Sequence, residues 1–181
     1  MMSIKAPFNL NKWIAENRGL LKPPVGNRNL YKDAGDYIVM IVAGPNARKD
    51  YHYNETEELF YQLEGDIEVH IQENGEKHTM QLGPGDMYLH PAKVPHSPVR
   101  KEGSIGLVIE RKRAHMNVDD GLLWFCDNCN HKLYEAYFTL NDIEKDFLSH
   151  FKYFYSSKDL RTCDNCGTVM PIDERFIAKD Q

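Results

Sequence analysis

The sequence is poor in long apolar runs and has no excess of positive charge. Its longest strongly apolar stretch covers residues 38–43, far short of the roughly 20 residues that a membrane helix needs. Its 22 Lys and Arg stand against 27 Asp and Glu, for a formal net charge of −5, whereas nucleic acids and anionic membranes attract clustered basic residues. Residues 1–7 contain no apolar run typical of a secretory signal. These absences predict a cytoplasmic protein without a nucleic-acid or membrane partner.

Cysteine is also scarce, and its spacing points to a metal. The chain has four cysteines, and a reducing cytosol gives little reason for structural disulfides. Two Cys-x2-Cys pairs can instead supply four thiolates to Zn2+ or to a single rubredoxin-like iron. Asn130 and Gly167 directly follow the pairs and tolerate the left-handed conformation that a metal knuckle often imposes. We therefore expect a second metal site with these ligands: Cys126, Cys129, Cys163 and Cys166.

Short strands account for most of the predicted structure. Asn9 can cap a short amphipathic helix over residues 9–19. Asn74 and Gly75 form a dipeptide that favours a type I′ hairpin turn. Frequent turns without interleaved helices predict an all-β-dominated fold, an antiparallel barrel or sandwich. The apolar patterns predict strands over residues 37–43, 57–63, 66–72, 87–90 and 104–110.

After about residue 115 the strand patterns give way to the cysteine pairs and a helical pattern. Asn141 and Glu144 come close to a capping box, and four apolar residues follow at helical spacing: Ile143, Phe147, Phe151 and Phe154. This helix lies between the two cysteine pairs. We predict a β-domain with an N-terminal helix over residues 1–115 and a C-terminal extension with the four-cysteine site over residues 116–181.

Two histidines and a glutamate form the candidate catalytic metal site. His52 and Glu58 flank a short connection, and His96 lies on a later strand, so that the three can converge inside a small barrel. Two imidazoles and one carboxylate occupy one face of an octahedron and leave the opposite face for substrate and O2, as in non-haem Fe(II) oxygenases. Glu57 is an alternative to Glu58, and His90 an alternative to His96. Glu58 is favoured because adjacent strand residues point to opposite faces and Glu58 keeps even spacing to His52, and the motif spacing favours His96.

The two segments that carry these ligands resemble the paired motifs of the cupin family. The first reads His52-x-Asn54-x3-Glu58, followed by six residues and Gly65, and the second reads Gly85-x5-Pro91-x4-His96. Many cupins have a further histidine at the position of Asn54. The resemblance therefore implies a cupin (jelly-roll) barrel with a His, Glu, His ligand set.

Two arginines and a late glutamate are candidates for substrate binding. Arg48 precedes His52 by four residues and Arg100 follows His96 by four, so both are expected near the pocket unless they are ordinary solvated arginines. Arginine matches carboxylates bidentately, which favours an anionic ligand. On the predicted strand 104–110, small residues lead along one face to Glu110, which can accept a hydrogen bond from a ligand or lie solvated at the strand end.

Over nearly its whole length the chain resembles the 3-hydroxyanthranilate 3,4-dioxygenase family in its compact microbial form. The resemblance is carried by residues 6–9, 21–28, 57–63, 96–98 and 107–111 together with the two cysteine pairs. It implies Fe(II) on His52, Glu58 and His96 and ring opening of 3-hydroxyanthranilate by O2 to 2-amino-3-carboxymuconate semialdehyde, the precursor of quinolinate. It also implies a homodimer, for which the apolar outer face of the last strand is suited.

The resemblance further implies a role for each polar residue of the pocket. Arg100 pairs with the substrate carboxylate, Glu110 accepts from its amino group, Glu58 lies against the substrate as well as the iron, and Arg48 stabilises bound oxygen. This reaction needs no external electrons, so a structural role for the four-cysteine site is favoured.

Three other functions compete with this one. A cupin dioxygenase for another aminophenol or catechol would share the metal ligands. A non-catalytic sensor would bind a small acid in the barrel and report through the cysteine tail. A rubredoxin-like electron carrier would use the barrel as a scaffold and show reversible redox chemistry at the cysteines.

Overall fold

The computed structural model of the chain describes residues 6–22, 26–113, 115–140 and 143–177. Eleven strands dominate this part of the chain: β1 (Asn27–Asn29), β2 (Tyr37–Ala43), β3 (Tyr51–Tyr53), β4 (Glu58–Glu64), β5 (Ile67–Glu73), β6 (Glu76–Leu82), β7 (Met87–His90), β8 (His96–Arg100), β9 (Ile105–Arg111), β10 (Asp120–Phe125) and β11 (Lys132–Phe138). The α-helices are α1 (Leu10–Asn17), α2 (Ile143–Ser156) and α3 (Lys158–Arg161), with 3-10 turns at Arg18–Leu20 and Glu174–Phe176.

The strands form two antiparallel sheets. The five-stranded sheet has the order β1-β2-β9-β4-β7, and the six-stranded sheet has the order β11-β10-β3-β8-β5-β6. Apolar side chains alternate along the strands and meet between the sheets, as expected for sheets with one buried face. This inner core contains Phe60, Ile67, Val69, Ile71, Leu82 and Val108. The predicted cupin-type double sheet is confirmed.

The predicted elements in the first 111 residues agree with the structure to within a residue or two. Strands β2 and β7 have the predicted bounds, and β4, β5 and β9 begin and end one residue later than predicted. Asn9 caps α1, since its side chain accepts a hydrogen bond from the Lys12 amide at 2.9 Å. The hairpin at Asn74 and Gly75 has φ values of 53° and 82°, as a type I′ turn requires.

Helix α1 covers part of the outer face of the five-stranded sheet. Ile14 packs with Ile41 and Ile105 in a separate apolar cluster, and Ile105 is only 4% exposed. The outer face of β9, which was expected to suit a dimer interface, is thus partly buried by the chain's own helix. The exposed large apolar side chains of this sheet are Tyr37 at the start of β2 and, farther along, Met87 and Leu89 on β7.

The C-terminal extension contains strands that the sequence pattern did not predict. The four-cysteine region was expected to hold one helix between the two cysteine pairs, whereas β10 precedes the first pair and β11 follows it. β10 pairs with β3 and so continues the six-stranded sheet of the barrel. The capping box predicted from Asn141 and Glu144 lies outside the described residues and side chains. Helix α2 packs on Leu122 and Trp124 of β10 through Phe147, Phe151 and Phe154.

Within the described ranges, no helix is both long enough and apolar enough to cross a membrane.

Candidate active site

Strand register brings the three candidate metal ligands together inside the sandwich. His52 on β3 lies directly opposite His96 on β8, and Glu58 begins β4 in the facing sheet. All three side chains are buried. One potential ligand atom from each lies within 4.8 Å of the other two, so the predicted cluster exists.

The spacing of these groups fits a divalent metal ion. Glu58 Oε2 lies 3.0 Å from His96 Nε2, and donors at right angles on bonds of roughly 2.1 Å are about 3.0 Å apart. The other ring nitrogen of His96, Nδ1, is buried without a hydrogen-bond partner, so the Nε2 edge is the one that faces Glu58 and the candidate metal position. Two imidazoles and a carboxylate are borderline-to-hard donors that suit ferrous iron.

Neither alternative residue, Glu57 or His90, is placed to serve as a metal ligand. Glu57 is exposed, as expected for a strand neighbour of a buried residue. His90 is fully buried, but both of its ring nitrogens are engaged, Nδ1 by the Tyr88 hydroxyl at 3.1 Å and Nε2 by the Val94 carbonyl at 2.7 Å. Burial lowers the pKa of His90 to about 4, so the ring is neutral near pH 7. Its packing against His96, with ring centroids 4.3 Å apart, supports the ligand rather than replacing it.

Asn54, at the position where many cupins have a further histidine, contacts the candidate ligand Glu58. Its side chain is 1% exposed and Nδ2 donates to Glu58 Oε2 at 3.3 Å. Burial would raise the pKa of Glu58, but the charges of His96, His52 and His90 outweigh burial and hold that pKa well below its usual range. The carboxylate is therefore ionised and oriented, as a metal ligand must be.

A buried network that the sequence pattern did not reveal extends from His52 to Glu110. Asp120 Oδ1 lies 2.8 Å from His52 Nε2, so a metal held by this ring would take its other nitrogen, Nδ1. Arg113 connects Asp120 to Glu110 with contacts of 2.7 Å to each. Asp120 precedes Gly121 at a strand start and Arg113 lies in a basic run, contexts typical of surface residues.

Glu110 lies inside the sandwich rather than at a solvated strand end. It is directly opposite Glu58 across β4 and β9, and it is 3% exposed. Burial and the charge of Glu58 raise the pKa of Glu110, whereas Arg113 opposes both effects. The small residue Gly106 and the apolar Val108 lead to it along the same face, as predicted for residues 104–110.

Arg100 is a buried cation without a carboxylate at hydrogen-bonding distance in the described part of the chain. It is 3% exposed, and Nη1 donates to Gln62 Oε1 at 3.3 Å, while Nε has no partner. Burial lowers the pKa of Arg100 to about 10 and the charge of Glu58 opposes that shift, so the guanidinium stays charged near pH 7. Gln62, which the sequence pattern did not single out, holds the guanidinium beside Gly106.

Arg48 lies where α2 packs on the barrel. Its guanidinium is 5.1 Å from the Phe151 ring centroid and 5.8 Å from that of Phe147, and its Nε is 3.4 Å from Asp50 Oδ1. The Phe147 ring also contacts His52, at 5.2 Å between centroids. Among the described residues, no hydrogen bond or ion pair joins Arg48 to the three candidate ligands, so its oxygen-binding role stays a prediction.

The four cysteines converge as predicted. Their sulfur atoms lie within 4.8 Å of one another, with Sγ–Sγ distances of 3.6 Å between Cys126 and Cys166 and 3.5 Å between Cys129 and Cys163. Four thiolates in a tetrahedron with bonds of about 2.3 Å would be about 3.8 Å apart. Asn130 and Gly167 have φ values of 58° and 73°, the left-handed conformation expected after each pair.

Two antiparallel sheets that enclose two histidines and a glutamate form a cupin-type fold with a candidate metal site. Residues 2–155 match the model of the family described as 3-hydroxyanthranilic acid dioxygenase. The chain belongs to this family.

Two relatives of known name support the same assignment. The chain is 52% identical over 172 residues to a 3-hydroxyanthranilate 3,4-dioxygenase of Xanthomonas campestris pv. campestris (strain 8004), a match that covers 95% of this chain and 96% of the relative. It is 46% identical to a protein of the same name from Bacillus thuringiensis (strain Al Hakam), over 91% of each chain. Among solved structures, a cupin-2 domain protein from Shewanella frigidimarina aligns with a TM-score of 0.47 and 23% identity, over 58% of this chain and 94% of the other.

Proposed function

We propose that this chain opens the ring of 3-hydroxyanthranilate with O2, as a 3-hydroxyanthranilate 3,4-dioxygenase that holds Fe(II) on His52, Glu58 and His96. Its relatives of that name cover almost the whole chain. The observation in the site that carries the proposal is Arg100, a buried guanidinium with an amide as its partner. Buried arginines normally pair with an anion, and the carboxylate of 3-hydroxyanthranilate would supply one.

The balance of buried charge supports the same substrate. Three buried carboxylates surround the cluster, on Glu58, Glu110 and Asp120, and two buried guanidiniums accompany them, on Arg100 and Arg113. These groups leave one net negative charge, which a divalent ion converts to one net positive charge. A substrate with a single carboxylate neutralises the site, and buried charge is costly unless it is balanced.

The residues of the chain would bind and orient the substrate around the metal. When bound at the cluster, ferrous iron would supply the redox chemistry of O2 activation. Arg100 would hold the substrate carboxylate and Glu110 would accept a hydrogen bond from its amino group, which together fix the ring beside Glu58. Arg48 would lie where negative charge develops on oxygen. Helix α2, through Phe147, would help to exclude water from this face of the barrel.

A second metal at the four cysteines completes the proposed cofactors. The sulfur spacing supports a tetrahedral thiolate site, which Zn2+ and a rubredoxin-like single iron both suit. We propose that this four-cysteine site has a structural role. We also propose that residues 1–115 form the barrel domain and that residues 116–181 form the C-terminal extension. A cytoplasmic location accords with four unpaired thiols.

The activity can be tested by adding 3-hydroxyanthranilate to ferrous-loaded protein under air. We expect one O2 consumed for each substrate, with a rising absorbance band of the semialdehyde product. His52→Ala should reduce oxygen uptake to background, whereas the control His115→Ala, at an exposed histidine, should not.

The alternatives predict different results. With iron confirmed in the barrel, uptake only with analogues would favour another aminophenol or catechol substrate. No uptake with any of them would contradict an oxygenase and favour the sensor. Reversible redox chemistry at the cysteines without oxygen uptake would favour the electron carrier.

A further inference from the structure

Arg113 connects the two sides of the candidate site. It follows β9, is 4% exposed, and contacts both Glu110 and Asp120 at 2.7 Å. Asp120 in turn lies 2.8 Å from the candidate ligand His52. A single guanidinium therefore joins the carboxylate proposed to meet the substrate with the carboxylate that holds a metal ligand.

The orientation of this guanidinium is fixed from several directions. Nε donates to both oxygens of Asp120, at 3.0 and 3.1 Å. Nη1 donates to Thr56 Oγ1 at 3.3 Å and to the Arg111 carbonyl at 3.0 Å, besides its contact with Glu110. Arginine presents its donors in one rigid plane, so the group cannot turn without breaking several of these bonds.

We propose that Arg113 is a positioning residue for both halves of the reaction site. Through Asp120 it sets the orientation of the His52 ring, and directly it sets the carboxylate of Glu110. The part that concerns Glu110 rests on the proposed function, whereas the part that concerns His52 rests on the metal cluster alone.

The physical effect on the metal follows from how ligating histidines are held. A carboxylate that accepts from the second ring nitrogen fixes the tautomer and the ring orientation, and losing such a partner commonly costs about tenfold to 100-fold in metal affinity. Asp120 is fully buried, so without Arg113 it would keep an unbalanced charge and lose the bonds that orient it. Removing Arg113 should therefore weaken metal binding without removing a ligand.

Metal affinity can be measured independently of the reaction. Mn2+ is a suitable probe, because it prefers carboxylate and imidazole donors to thiolates, and electron paramagnetic resonance reports its free concentration. We expect Arg113→Met to weaken Mn2+ binding about tenfold or more and Arg113→Lys, which keeps the charge but not the planar fork, to restore part of the loss. Asp120→Asn, of equal size, should also weaken it. The control is Arg111→Met, an exposed arginine at the end of β9.

The link to Glu110 can be measured as a double-mutant cycle in iron-loaded enzyme. Arg113→Met should lower kcat/KM about tenfold or more in the wild-type background at saturating iron. It should have little further effect in the Glu110→Gln background if Arg113 acts through Glu110. If Arg113 merely supports the fold, Arg113→Met should lower kcat/KM by the same factor in both backgrounds.

Each result decides a separate point. Equal Mn2+ affinity in Arg113→Met and Arg111→Met overturns the connection to His52. If Arg113→Met does not fold, an unchanged Mn2+ affinity in Asp120→Asn overturns it instead. Additive effects with Glu110→Gln overturn the connection to Glu110. If wild-type protein is inactive on 3-hydroxyanthranilate, the proposed function fails, while the Mn2+ measurement still tests the positioning of His52.

Discussion

At the scale of single residues, the space around Arg100 is set by a glycine on the neighbouring strand. A Cβ atom at Gly106 would lie 2.7 Å from Gln62 Oε1 and 2.9 Å from Arg100 Nη1. Both distances are shorter than a side chain tolerates. The absence of a side chain at position 106 therefore lets the guanidinium lie where the proposed substrate carboxylate would meet it.

Gly106→Ala should for this reason impair substrate binding more than folding. The added methyl group would displace the Arg100 guanidinium or Gln62, and we expect KM to rise about tenfold, equivalent to roughly 1.4 kcal/mol, with a smaller change in kcat. Steady-state kinetics of the iron-loaded variants measure this. Gly35→Ala, where a Cβ meets nothing within 4 Å, is the matched control, and an equal KM in the two variants would contradict the prediction.

Single residues also show how far the sequence could lead. His52, Glu58 and His96 were predictable because a metal site needs specific residue types at regular spacing within two motifs. Arg113 and Asp120 were not predictable, because their contacts form only when the chain between β9 and β10 folds back against the barrel. Neither the residue types nor their spacing indicates that path of the chain. The choice between Glu57 and Glu58 followed from strand alternation together with the motif spacing to His52 and Gly65.

At the scale of elements, local patterns predicted five strands that alternate or are apolar throughout and missed several others, including the apolar β10. β8 contains Pro98 and ends at the charged Arg100, and β3 has only three residues, so neither has a strand signature. Both exist because they pair with neighbours in the sheet. β10 reads as an apolar run near the cysteines, and its strand pairing with β3 arises from tertiary contacts.

The edge strand β7 exposes apolar side chains that could form a contact between two copies of the chain. Met87 and Leu89 are 65% and 55% exposed on the outer face of the five-stranded sheet, and Leu89 lies opposite Leu59. Exposed apolar patches often mark interfaces, so we propose that the chain forms a homodimer through this face, rather than through the part of β9 that α1 covers.

Met87→Lys should therefore shift the protein from dimer to monomer. In a twofold interface the substitution occurs twice, and burying a methionine contributes roughly 1.5–3 kcal/mol. The dissociation constant of the dimer should therefore rise about 100-fold or more. Sedimentation velocity across a concentration series measures this. Met80→Lys is the control, because Met80 is 40% exposed on β6 at the edge of the other sheet. A wild-type monomer, or equal behaviour of the two variants, would contradict the proposed interface.

At the scale of the whole molecule, the four-cysteine site ties the extension to the barrel. Its first pair lies between β10 and β11 and its second pair follows α3, so the chain between the pairs includes α2. Asn130 of the first knuckle exchanges two hydrogen bonds with Gln72 on β5, at 2.7 and 2.9 Å. A metal at the cysteines would thus close a loop whose helix contacts His52 and Arg48 through Phe147.

Loss of the tail metal should therefore reach the catalytic site through α2. By the chain-entropy estimate, a cross-link that closes a loop of this size contributes about 3–4 kcal/mol. In Cys163→Ser we expect a lower free energy of unfolding, faster amide exchange in α2, and a lower kcat/KM even with the barrel iron restored, because Phe147 and Arg48 lose their fixed positions. Hydrogen-exchange mass spectrometry on α2 peptides measures the central step, with Asp164→Ser in the same turn as control. If α2 keeps its protection from exchange after the tail metal is lost, the metal at the cysteines does not hold the helix. The proposed coupling from this metal through α2 to the catalytic site is then wrong.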